Sequence, residues 1–291
     1  MFEMDPVECI VEPGELPLNS GVVIAASNED GLVALNKPEG LMSHPNKAED
    51  IARSLLKASY DYEEEYFFWK DERGEEKRVW LINRLDSPTS GLILIALNRK
   101  ISDTVKKEFS THRVAKYYHA LVRHTPRKNS GTWDDVITKD LINNGRKINK
   151  GRQIKARSTF QLITKPVGGF PIALLRLSPV TGRTHQLRIQ CRKHGHPIVG
   201  DRSYGSFSFN KEVVLETGVK RMMLHASEVL VNYSFNGKAR HFKAKCDLPE
   251  AFQHVLRFRP GMAKIVEPEQ EDSEFESEPD DVLAGRRFRP V

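Results

Sequence analysis

The stretch "INRLDSPTSGLILIALNRK", residues 82–100, sets Arg84 and Asp86 two residues apart at the mouth of a nearly continuous apolar run. Burying a charge is costly unless it is paired, so a carboxylate here needs a reason. Either Asp86 is a turn aspartate bonding a backbone amide beside Ser87-Pro88, or it is a nucleophile or acid/base group on a loop held by the strand Gly91–Leu97. A second candidate stretch is "TGRTHQLRIQCRKHGHPIVGD", residues 181–201. Arg183 and Arg188 fall near the N-terminal end of a helix, where free amides and guanidinium groups make an anion site; the alternative is a pair of solvated arginines. His185, His194 and His196 lie in the same stretch. No carboxylate or cysteine completes a metal set with them, and His194-Gly195-His196 fits a helix end. Tyr118 in "KYYHALV" shares a strand face with Ala120 and Val122; the pattern alone reads it as core with its hydroxyl at the edge. Lys37 in "NKPEG" either contacts a phosphate or caps its own turn, and local evidence favours the cap.

These residues need elements to hold them. "GVVIAASNEDGLVALNKPEG" flanks an Asn-Glu-Asp-Gly turn with two β-rich apolar runs, which predicts a hairpin. Residues 48–59 have helical spacing, with Ile51, Leu55 and Leu56 inward. Residues 61–78 read as a charged insertion with aromatics. "VWLINRLD" predicts a strand running into the Asp86 loop, "GLILIAL" a buried strand, 99–112 a basic helix and "AKYYHALVR" a further strand. "STFQLIT" and "FPIALLRLSPV" predict paired strands. The helix after "TGRTH" has Thr184 as its N-cap and stops at Gly195 and Pro197. "RMMLHASEVLV" and "HFKAKCD" predict late strands, and "PEAFQHVLRF" a closing helix. Strands dominate and many form hairpins, so the fold class is α+β around a mixed, largely antiparallel sheet flanked by helices.

Composition narrows the partners. The longest clear apolar run, Gly91–Leu97, is far below the roughly 20 residues of a membrane span, and the acidic, proline-containing N-terminus does not read as a secretory signal. Cys9, Cys191 and Cys246 are scattered, which implies reduced thiols and a cytoplasmic protein. The net charge is +6 over 291 residues. Residues 267–291 hold nine acids and three arginines, so without them the charge is +12. A body this basic suits a polyanion such as nucleic acid. Residues 143–157 carry six basic groups and no acid; Arg146, Lys147, Lys150 and Arg152 are among them, on an exposed loop or hairpin. Residues 1–21 read as an irregular extension, and 259–291 as an acidic tail too poor in core formers to fold. No phosphate-cradling glycine loop, GxSxG elbow or HExxH signature is present.

Taken together, "LVALNKPEGLMSHP", "NRLDSPTSGLILIALN", "KYYHALV", "PVTGRTHQLRIQCRKHGHPIVGDRSYG" and "RMMLHA" resemble, in order and spacing, the RluA-type RNA pseudouridine synthases. The likeness runs from about residue 22 to about residue 258, which makes that span the catalytic domain. It implies an isomerase that breaks the bond from ribose to the base nitrogen of a uridine in RNA, rotates the base and rejoins it through carbon, with no metal or cofactor. It implies Asp86 as the catalytic aspartate, Arg188 as its ion-pair partner and Tyr118 as the active-site tyrosine, which stacks on the target base and is also a candidate base. It also implies that Arg84 fills the gap left by the flipped nucleotide. Arg183, His185, Lys37, Arg146, Lys147, Lys150 and Arg152 become candidate RNA contacts. The sequence departs from many members at Asn83, where they carry histidine, and at Ser87-Pro88. The N-terminal extension has no room for the small basic RNA-binding domain many members carry, so substrate choice falls to the catalytic domain and insertions such as 61–78. Ribosomal and transfer RNA are both open, with ribosomal RNA favoured because much of the family acts there. A monomer is the default. The rival readings are an RNA-binding or ribosome-assembly protein that has lost turnover and a general basic RNA chaperone.

Overall fold

Seven consecutive buried residues, Ser90–Ala96, form the strand on which the candidate site is built. The computed structural model describes residues 11–138, 141–143, 146–148 and 153–265. In chain order the elements are β1 (Val23–Ser27), β2 (Leu32–Lys37), β3 (Ser59–Asp61), β4 (Tyr66–Lys70), β5 (Glu76–Leu81), β6 (Ser90–Ala96), α1 (Arg99–Ser110), β7 (Ala115–Arg123), β8 (Ser130–Thr138), β9 (Leu141–Asn143), β10 (Arg146–Ile148), β11 (Gln153–Thr164), β12 (Ile172–Pro179), α2 (Gln186–Lys193), α3 (Phe207–Thr217), β13 (Leu224–Phe235), β14 (Lys238–Lys245) and α4 (Glu250–Arg257).

The main sheet runs β3-β4-β5-β6-β13-β7-β12-β11-β8, with β2 joining β6 to β1 and β14 pairing β13. Among the described residues its one parallel strand pair is β6 with β13, and it is short: His225 faces Ser90 and Ala226 faces Gly91. Gly91 has φ of 109°, and a Cβ there would collide with the Ala226 carbonyl. A glycine is therefore what lets the two halves of the sheet meet.

Side chains of β6 alternate between two cores, as the period of a strand requires. Ile93 and Ile95 join Leu35, Phe67 and Val79, while Leu92 and Leu94 join Ile101 and Val105 of α1. Helix α1 is started by Asn98, whose side chain accepts from the Ile101 amide at 2.9 Å. A third core gathers β7, β12 and the helices α2, α3 and α4 around Leu121, Leu175 and Phe252. Tyr118 packs against both the first and the third of these cores, which places it on the seam between the halves.

Several sequence expectations change. Residues 48–59 are not a helix: Ala48–Arg53 make a 3-10 turn, and the chain then extends. Ser54, with a side chain that bonds the carbonyls of Ile51 and Leu56, ends the turn, and Leu55 and Leu56 are fully buried without helical geometry. The 61–78 insertion folds largely into the β4–β5 hairpin. Helix α3 has no counterpart in the sequence reading. The N-cap of α2 is His185 rather than Thr184, and no side chain caps the helix; the Gln186 oxygen instead reaches back to accept from the Arg183 amide, ahead of the helix, at 3.1 Å. Among the described residues, no helix is long and apolar enough to cross a membrane.

Candidate active site

Asp86 closes a turn in which its carbonyl accepts from the Thr89 amide at 2.9 Å. The loop is clasped to the turn that follows β2. Ser43 donates to the Leu85 carbonyl at 2.7 Å and accepts from the Leu85 amide at 2.9 Å, and Ser87 donates to the Gly40 carbonyl at 2.8 Å. Lys37 completes the clasp. Its fully buried ammonium donates to the carbonyls of Pro38 at 2.9 Å, Leu41 at 2.7 Å and Ser87 at 3.0 Å. Burial pushes its pKa down to about 7, against the opposing charges of Asp86 and Glu39. Among the candidate RNA contacts Lys37 is therefore a correction: it caps the loop and its nitrogen does not reach the surface.

The clasp leaves the Asp86 carboxylate about one-quarter exposed and 3.0 Å from Nη1 of Arg188. Arg188 is buried and forks onto Asp201, Nε to Oδ2 at 2.8 Å and Nη2 to Oδ1 at 3.0 Å. Asp201 is wholly buried, and its Oδ1 also accepts from the amides of Ser203 and Tyr204 at 2.9 Å. Burial works against the charge on Arg188, but hydrogen bonding and attraction from Asp201, then Asp86, hold its pKa above the ordinary arginine value. One guanidinium thus uses its fixed fork on the structural carboxylate and its remaining nitrogen on Asp86. The expectation of an anion site shared by Arg183 and Arg188 fails for the same reason: Arg188 faces two carboxylates. Arg183 is exposed, with Nε 3.4 Å from the Lys155 carbonyl.

His185 also lies near Asp86, Nε2 3.8 Å from the same Oδ2 that Arg188 holds and Nδ1 3.1 Å from the Tyr204 hydroxyl. Its φ of 52° puts a non-glycine residue in the left-handed region, a strain that clusters at functional sites. Burial, with the charge of Asp86 adding to it, pushes the Tyr118 phenol well above its ordinary pKa, so Tyr118 is protonated at neutral pH. Arg84 is exposed, with Nη1 3.4 Å from His44 Nε2.

The structure therefore brings Asp86, Arg188, Tyr118 and His185 together and leaves Arg84 and Arg183 at the surface. Arg146 and Lys147 fall on β10; their side chains, and all of Lys150 and Arg152, lie outside the described residues, as do Cys9 and 266–291. Sequence reasoning missed Asp201. A signal existed: it is the one acid among five basic residues between Arg183 and Arg202. Among the described residues no cluster of His, Cys, Asp and Glu could hold a metal ion.

The model for the family "RNA pseudouridylate synthase" matches residues 31–193, more than half of the chain. The chain belongs to this family. The family carries with it the α+β fold and the class of RNA-acting isomerases. Relatives agree. The tRNA pseudouridine synthase C of Yersinia pestis is 32% identical over 232 residues, covering 76% of this chain and 85% of that protein. The protein of the same name from Pectobacterium carotovorum subsp. carotovorum is 32% identical over 231 residues, and the match spans 76% of this chain but 58% of that longer protein. The dual-specificity RNA pseudouridine synthase RluA of Vibrio vulnificus is 29% identical over 237 residues, 79% of this chain and 86% of its own length. Human RNA Pseudouridylate Synthase Domain Containing 4 shares the fold with a TM-score of 0.56, covering 80% of this chain and 91% of its own at 22% identity.

Proposed function

We propose that this protein converts a uridine of transfer RNA to pseudouridine, with Asp86 as the catalytic group. The observation that carries the reading is the Asp201–Arg188–Asp86 chain, a buried ion pair whose spare guanidinium nitrogen ends on a partly exposed carboxylate. A buried charge of this kind is weak evidence for stability by itself, but it fixes the carboxylate in one geometry, as a catalytic group requires. The isomerisation breaks the bond from C1′ to N1 and forms one from C1′ to C5, while a proton leaves C5 and N1 gains one. It needs no net oxidant. The uridine must first leave its stack, at a cost of a few kcal/mol. Tyr118, on the seam between the cores, offers the flipped base a flat face; being protonated, it stacks and donates in the resting enzyme rather than taking a proton. Asp86 is the carboxylate whose charge reaches the Tyr118 phenol.

Transfer RNA is chosen over ribosomal RNA because the two relatives at 32% identity reported above carry transfer RNA in their names. Work on RNA, with reduced thiols, suits the cytoplasm. A silent RNA binder would have no use for a carboxylate held in this way. The test is pseudouridine formation in unmodified transfer RNA by the protein and by Asp86→Asn. The reading requires product with the first and none with the second, with RNA binding retained; product from Asp86→Asn would refute it.

A further inference from the structure

Resting on the reading of the protein as an RNA isomerase, we propose that Tyr62, braced by His44 and Tyr60, is a stacking platform for an unpaired nucleobase beside the target uridine. The 61–78 insertion has no task in the chemistry, and its hairpin begins where this cluster stands. Tyr60 of β3 lies flat on His44, ring centroids 4.7 Å apart and planes 8° from parallel. Beneath, Tyr60 meets buried Phe67 at 4.9 Å. Tyr62 stands edge-on to both, 5.9 Å from His44 and 5.3 Å from Tyr60, and its hydroxyl donates to the Pro45 carbonyl at 2.6 Å. Its side of the cluster is open: Tyr62 is 41% exposed.

Position ties this cluster to the reaction. His44 follows Ser43, which is hydrogen-bonded in both directions to Leu85, and it touches the guanidinium of Arg84 two residues before Asp86. The aromatic stack thus runs from the core to the arginine at the edge of the catalytic loop. Tyr62 is already fixed by two ring contacts and a hydrogen bond, so stacking a base on it costs little further side-chain entropy. A base whose neighbour has flipped out has lost a stacking partner, and an aromatic face beside a guanidinium replaces it whatever the base.

The experiment measures the Kd of a short single-stranded RNA with one central uridine, and of the same RNA with both neighbours of that uridine abasic. Tyr62→Ala is expected to weaken binding of the intact RNA about 5- to 150-fold, the range for one lost base–aromatic stack. It should not weaken binding of the abasic RNA further. Tyr62→Phe keeps the ring and should bind both RNAs like the unaltered protein. Equal weakening on both RNAs, or none on either, would overturn the platform. Absence of pseudouridine in every RNA tested would refute the isomerase reading, and the binding comparison would still decide on the platform.

Discussion

Replacing Arg188 by methionine separates what the buried ion pair does for stability from what it does for the site. Methionine keeps the length of the chain and removes the charge. Asp201 is then a fully buried carboxylate left with only the Ser203 and Tyr204 amides. Breaking a buried pair in this way costs about 3–5 kcal/mol, and the two surviving amide bonds favour the lower end. Asp86 is partly exposed, so water replaces its lost bond and its share is under about 1 kcal/mol. For a chain of this size Arg188→Met should lower Tm by about 6–20 °C. The double variant Arg188→Met/Asp201→Asn removes both charges, and the Asn oxygen keeps the two amides that Oδ1 now accepts. Most of the stability should return. Activity should not, because Asp86 still lacks its guanidinium. Denaturation and pseudouridine formation are measured on the same preparations. A double variant as unstable as the single one would refute the reasoning about Asp201, and one that regains full activity would refute the role given to Arg188.

Lys37 should leave a signature at alkaline pH. The unfolded lysine keeps its proton to about pH 10.5 and the folded one only to about 7, so the unfolded state binds more protons in that window and stability rises with pH across it. Relative to Lys37→Met, the unaltered protein should gain up to about 1.4 kcal/mol per pH unit from about pH 7 upward; a flat difference would contradict the buried ammonium. His225 works at acid pH. Burial, then the charges of Arg221 and His119, push it down to about 3, so below its ordinary value of 6.5 the unfolded chain takes a proton that the folded one refuses. Acidification should therefore destabilise the unaltered protein more steeply than His225→Asn, as read by denaturation at several pH values between 3 and 6.5. Gly91→Ala places a Cβ on the Ala226 carbonyl at a positive φ, and should cost about 2–4 kcal/mol in denaturant unfolding and much of the activity, since the loop ahead of β6 carries Asp86.

The sequence was most legible where period and burial agree. "GLILIAL" had to be a buried strand, and β7, the β11–β12 pair and α4 follow patterns that packing only reinforces. It was least legible where long-range bonds override local spacing. Ile51, Leu55 and Leu56 sit at helical intervals, yet Asn19 draws the carbonyls of Ile51 and Ser54 to its side-chain amide at 2.9 Å and 2.6 Å and the chain extends. Helix α3 has an exposed Phe207 and Leu215 and buries Phe209, Val213 and Thr217, so its apolar face is blurred. In the site, Asp86 stood out because a charge at the mouth of a buried strand demands a partner. Asp201 did not, because it lies outside any apolar run and its one local mark, a lone acid in a basic stretch, does not say which arginine it holds. Lys37 reads as a basic residue near a turn, and only the three carbonyls from two loops show that its charge is turned inward.

The measurement closest to the central claim is site-resolved mapping of pseudouridine in cellular RNA. Cells with the unaltered protein, with none, and with Asp86→Ala would be compared. The catalytic role of Asp86 predicts one or more uridines of transfer RNA that carry the mark in the first and lack it in both of the others. Full modification of every site in cells whose only copy carries Asp86→Ala would contradict it.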